Sequence, residues 1–123
     1  MRAWTVEEAN QAIPHVRAVI ERIRALVREG RASAEEDSGR VQGNGQRTHG
    51  GAAAVELRAA LDELASDGIE LRDPETGLVD FPARSPSGKP YWLCWLPEEP
   101  EVGWWHWPET GFAGRRPLSD PPD

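Results

Sequence analysis

The chain carries a single cysteine, Cys94, so no internal disulfide is possible and a cross-linked scaffold is excluded. No apolar run approaches the roughly 20 residues that a membrane-spanning helix needs. No apolar stretch typical of a secretory signal follows the opening Met1-Arg2-Ala3-Trp4. The cytoplasm is therefore the expected location. Hydrophobic residues make up only 38%, below the usual share for a compact domain, so some segment should lie outside the core. Basic residues are also in the minority, 14 against 21 acidic ones, giving a formal net charge of -7. Non-specific nucleic-acid binding needs clustered Lys and Arg to displace counterions, and docking on an anionic membrane needs the same. Neither partner is expected. Phenylalanine and tyrosine are scarce, at 2 and 1, whereas tryptophan is abundant at 6.

What is present suggests one α+β domain spanning 1–123, long enough to bury a core without metal or disulfide staples. Thr5-Val6-Glu7-Glu8 has the pattern of a capping box, with Trp4 placed to staple onto Ala9. Ala9, Ala12, Ile13, Val16, Val19, Ile20, Ile23, Leu26 and Val27 follow at steps of three and four, the stripe of an amphipathic helix. Pro14 predicts a kink or break near Ile13, and Gly30 a stop. From Arg31 to Gly51 the pattern disappears into polar, glycine-rich sequence, read as a flexible connection. Leu57, Leu61 and Leu64 define a second helix over about 52–67, and the two helices should form an antiparallel hairpin.

The second half has a different texture. Ile69–Arg72, Leu78–Phe81, Tyr91–Leu96 and Val102–Trp107 read as four short strands. Asp73-Pro74-Glu75-Thr76-Gly77 and Pro86-Ser87-Gly88-Lys89 are turns with defined backbone chemistry. The expected fold is an N-terminal helical hairpin packed on a C-terminal four-stranded antiparallel meander, with a frayed tail over about 117–123. The expected core is Ile13, Val16, Ile20, Ile23, Leu57, Leu61, Leu64, Ile69, Leu71, Val79, Phe81, Leu93 and Trp95.

The candidate chemistry sits in the strands. Alternation places Asp80, Cys94 and His106 each on one face of its strand, and Glu109 just beyond the last. Imidazole, carboxylate and thiolate are ligands for a divalent metal, zinc or iron, and three such ligands leave a position open for water activation. Two other readings stand beside this one: an acid–base site without metal, and a hydrogen-bonded structural cluster. All three depend on register, because a slip of one residue flips every side chain. Gly111-Phe112-Ala113-Gly114-Arg115-Arg116 is a compact turn in which Arg115 is the candidate holder of a small anionic ligand, with Asp80 or Glu109 as its natural ion-pair partner. Five of the tryptophans lie between 92 and 107, and the adjacent Trp104 and Trp105 must point to opposite faces of a strand. Trp95, Trp104 and Trp105 are candidates for an aromatic wall around a ligand. Alternatively, the tryptophan-rich face is a protein interface, with the helices covering one side of the sheet and a second subunit the other; a homodimer is the expected assembly. Arg17, Arg24, Arg28 and Arg31 form a basic stripe on the first helix, read as a solvated face.

Several segments together are distinctive: Thr5-Val6-Glu7-Glu8-Ala9-Asn10, Asp67–Asp73, Thr76–Ala83, Tyr91–Trp95, Gly103-Trp104-Trp105-His106 and Gly111–Leu118. In these the chain resembles the bacterial family catalogued as domain of unknown function 2203. The resemblance implies a small stand-alone bacterial protein and supplies no activity. From the residues, the expected function is a metal- or small-molecule-binding domain with its site on the tryptophan-rich sheet. The alternative is a non-catalytic homodimeric interaction module. No nucleophile–base–orienter triad can be read from spacing, so no reaction is assigned.

Overall fold

The structure, a computed structural model, describes residues 2–38 and 47–123, and the side chains of 2–30 and 51–123. Helix α1 spans Val6–Ser38 and α2 spans Arg47–Ser66. The capping box forms as the sequence predicts: Glu8 N–H donates to Thr5 Oγ1 at 3.0 Å, and Thr5 N–H donates to Glu8 Oε1 at 3.0 Å. Two expectations for this region are corrected. Helix α1 runs through Pro14, so of the kink or break expected near Ile13 the break is overturned, and it continues past Gly30. Pro14 itself is exposed, and buried Ile13 and Val16 flank it, so packing on both sides offsets the lost donor. The expected connection over 31–51 is correspondingly shorter, since 31–38 and 47–51 are helical; its 39–46 part lies outside the described residues.

The helices are antiparallel. His15 pairs with Glu63 and Arg22 with Glu56, so position advances along one helix as it retreats along the other. Together they cover one face of the sheet. Ile13, Val16, Ile20 and Ile23 of α1 and Ala60 and Leu64 of α2 share one core with Val79, Phe81, Leu93, Trp95 and Trp105. Trp4 locks the chain's start onto that core, its ring edge-on to Phe81 at 5.2 Å and its indole N–H donating to the Asp67 carbonyl at 3.0 Å.

The sheet has five strands, one more than expected: β1 Glu70–Asp73, β2 Leu78–Arg84, β3 Pro90–Trp95, β4 Trp104–His106 and β5 Arg116–Pro117. They lie in chain order, each antiparallel to the next. β5 escaped the sequence reading because two residues carry no alternation. It exists because Trp104 and Trp105 leave an edge that Pro117 and Arg116 pair with. The frayed tail expected over about 117–123 is corrected: the Trp105 indole N–H donates to the Asp120 carbonyl at 2.8 Å, Ser87 Oγ donates to the Asp123 carbonyl at 2.7 Å, and Pro122 is buried. Among the described residues, no helix is long and apolar enough to cross a membrane.

Candidate metal centre

Register decides the site. Asp80 faces Cys94 directly across β2 and β3, while Trp92, two residues before Cys94, faces His106 across β3 and β4. Asp80, Cys94 and His106 therefore project from the same side of the sheet, opposite the helices. All three are buried, and their ligating atoms lie within 4.8 Å of one another. The convergence that alternation alone left open is present in the fold.

The hydrogen bonds orient the cluster. His106 Nδ1 lies 2.8 Å from the Trp107 carbonyl oxygen. A carbonyl only accepts, so Nδ1 carries the proton. Nε2 lies 2.8 Å from Asp80 Oδ2, which as a carboxylate oxygen also only accepts, so in the metal-free cluster a proton must sit between these two atoms. Arg72 Nε donates to the same oxygen at 2.9 Å. The other carboxylate oxygen, Asp80 Oδ1, is buried and has no hydrogen-bond partner among the described residues. The protonated Cys94 thiol faces this carboxylate across the strands, and, after burial, its weak hydrogen bond to Asp80 is among the causes that hold the thiol proton. Burial first, and then the Asp80 charge, push the Cys94 thiol up to about 12, against the opposing pull of Arg115. At neutral pH the metal-free thiol is protonated and poorly nucleophilic, which argues against Cys94 as a covalent catalyst.

The remaining candidates separate into those at the site and those elsewhere. Arg115 reaches it: Nη1 lies 3.8 Å from Cys94 Sγ, and the guanidinium is 4.5 Å from the Trp104 ring and 4.8 Å from that of Phe112. Its ion-pair partner is Glu99, not Asp80 or Glu109 as expected. Glu99 sits in the β3–β4 turn, where its Oε1 also accepts from the Leu96 N–H at 2.9 Å. Glu109 is exposed on the turn after β4, outside the cluster. Trp95 and Trp105 lie in the core on the helix side, so they line no site; Trp104 is on the site face, half-buried under Arg115. Arg72, which holds Asp80 and stacks over Trp92 at 4.7 Å, was missed in the sequence. No sequence signal could have placed it, because β1 pairs with β2 through a register irregularity between Leu71 and Asp73, where Arg72 lies. A pocket of about 330 Å³ opens onto the cluster, lined by Arg72, Leu78, Asp80, His106, Pro108, Gly111 and Phe112.

The basic stripe on α1 is partly structural. Arg17 donates to the Pro97 carbonyl at 2.6 Å and lies 5.0 Å from the Trp95 ring, tying α1 to the β3–β4 turn behind the site.

Neither a search of curated proteins nor one of solved structures finds a match to the chain. A family model described as "Uncharacterized conserved protein (DUF2203)" matches residues 2–118. With nearly the whole sequence inside that match, the site strands included, the chain belongs to the DUF2203 family.

Proposed function

We propose that Asp80, Cys94 and His106 bind one divalent metal ion, zinc or iron, and that the protein is a metal-binding domain with one open coordination position facing the adjacent pocket. The observation that carries this reading is the convergence of three buried donor atoms of different chemistry within 4.8 Å of one another. Nδ1–H is committed to the Trp107 carbonyl, which leaves Nε2 as the ligating nitrogen, and a metal would take the place of the proton now shared between Nε2 and Asp80 Oδ2. This is how proteins commonly orient a ligating imidazole. A mixed nitrogen, oxygen and sulfur donor set suits zinc or iron and disfavours magnesium or calcium. Coordination would also remove the thiol proton that burial otherwise holds on Cys94. A metal so held would supply Lewis acidity at the open position.

The interface reading is less well supported by the surface. Trp92 and Trp104 are each covered by an arginine, and the large hydrophobics exposed among the described residues are Val55 and Phe112.

The test is metal content by mass spectrometry on untagged protein purified without chelator. Near-stoichiometric zinc or iron is expected, lost in Asp80→Ala/His106→Ala. Cys94→Ala separates ligand loss from unfolding, because it leaves the Arg72–Asp80–His106 bonds intact. If the wild-type chain stays metal-free when supplied with both ions, the reading is wrong. The cluster is then a buried charge network in which His106 is the cation.

A further inference from the structure

We infer that the pocket over the cluster binds a small organic carboxylate, and that Arg72 is the residue that grips it. The inference rests on the metal reading for its charge balance.

Arg72 is held on two sides and free on the third. Nε donates to Asp80 Oδ2 at 2.9 Å, and the guanidinium lies 4.7 Å from the Trp92 ring centroid. Its terminal nitrogens make no hydrogen bond to the described residues, and its side chain is 41% exposed on the pocket. A guanidinium fixed in this way presents a planar fork, with little of the usual ordering entropy left to lose on binding.

The charges then select the ligand. A divalent ion held by the Asp80 carboxylate and the Cys94 thiolate is neutral as a unit. Arg115 is compensated by Glu99. With Asp80 engaged by the metal, Arg72 remains as one uncompensated positive charge at the pocket wall, which suits a monoanion. Leu78, Pro108 and Phe112 line the same pocket, and Phe112 is 47% exposed there. An apolar wall beside a single fork favours an alkyl or aryl carboxylate over hydrated inorganic phosphate. Arg115, the sequence-level candidate for this task, is poorly placed for it: its side chain is only 13% exposed and already carries Glu99.

The experiment titrates sodium benzoate, sodium acetate and inorganic phosphate into the zinc-loaded full chain, read by calorimetry and by tryptophan emission. Zinc content is measured on the same samples. Saturable benzoate binding, tighter than acetate, is expected. Compared at equal measured zinc occupancy, Arg72→Gln should weaken it at least tenfold with circular dichroism unchanged, and Arg72→Lys, which keeps the charge without the fork, should fall between. Equal affinity in Arg72→Gln, no saturable binding of any probe, or phosphate binding tightest would each overturn the inference. Should the wild-type chain hold no zinc, the metal reading fails by itself. The same titration of that metal-free protein then decides the carboxylate site: Arg72-dependent benzoate binding supports it, and its absence overturns it.

Discussion

Cys94 shows most clearly how position sets chemistry. In sequence it is one small residue in an aromatic strand, a setting that usually means a buried hydrophobe. In the fold it is fully buried opposite a carboxylate, and its thiol is pushed from 9.0 up to about 12. The consequence for stability has a definite sign. The unfolded chain releases the thiol proton near its ordinary value, while the folded chain keeps it. Between the two values the folded state binds more protons, so stability falls as pH rises through that window. Burial raises Tyr91 as well, so the total slope has two sources. The expected result is that urea midpoints of metal-free protein fall between pH of about 8 and about 11, and fall less in Cys94→Ala. Equal slopes in the two proteins would mean that the thiol is not held protonated by the fold. At this scale the candidates were legible but their convergence was not: donor chemistry and alternation name Asp80, Cys94 and His106 together with Glu109, which the fold leaves outside the cluster. Arg115's partner was not, because Glu99 comes from a turn whose path no periodicity encodes.

Elements carry two further predictions and most of the limits on reading. The β1–β2 turn needs Gly77, which sits at φ 81° with its Cα against other chain segments. A Cβ there would lie 2.7 Å from Pro97 Cγ and 2.8 Å from Ile20 Cγ2. Gly77→Ala therefore combines backbone strain with a clash against α1 and the β3–β4 turn, and should destabilise by about 2–4 kcal/mol in urea titration. A loss under about 0.5 kcal/mol would show that the turn can relax. The C-terminal segment makes the second case. Ending the chain after Leu118 removes the carbonyl that accepts from the Trp105 indole, together with buried Pro122. An indole N–H left unsatisfied costs about 1–3 kcal/mol, so a lower urea midpoint is expected with the fold retained. Strong local signals explain what could be read of these elements: the capping box, the leucine stripe and the Asp-Pro-Glu-Thr-Gly turn are each stated within a few residues. β5 and the docked tail are stated only by what they pair with. The continuity of α1 through Pro14 is likewise a tertiary effect, because Ile13 and Val16 are anchored in the core on either side. The register itself was not legible, because alternation fixes which residues share a face within a strand but not which residues face each other across strands; the pairing of Asp80 with Cys94 and of Trp92 with His106 comes from the fold.

At the scale of the molecule, core and candidate site lie on opposite faces of one sheet. The apolar core joins Ile20, Ile23, Phe81, Leu93, Trp95 and Trp105 beneath the helices, and none of these is a proposed ligand. The fold should therefore survive loss of the metal, unlike small zinc domains whose folding energy is their binding energy. It should nevertheless be less stable. Metal at about 100 times its dissociation constant stabilises by about 2.7 kcal/mol. For a domain of this size that shifts the melting temperature by on the order of 10 °C. Thermal scans with and without chelator test this directly. The expected outcome is a lower midpoint after chelation, an unchanged far-ultraviolet spectrum at room temperature, and no chelator effect in Asp80→Ala/His106→Ala. Collapse of the helical and sheet signals on chelation would instead make the metal a staple of the fold, and the hydrophobic core beneath the helices insufficient by itself. An identical midpoint with and without chelator, in protein shown to have carried metal, would mean that the site binds ion equally well in the unfolded chain. That outcome would count against the preorganised geometry of His106 and Asp80 as the source of affinity.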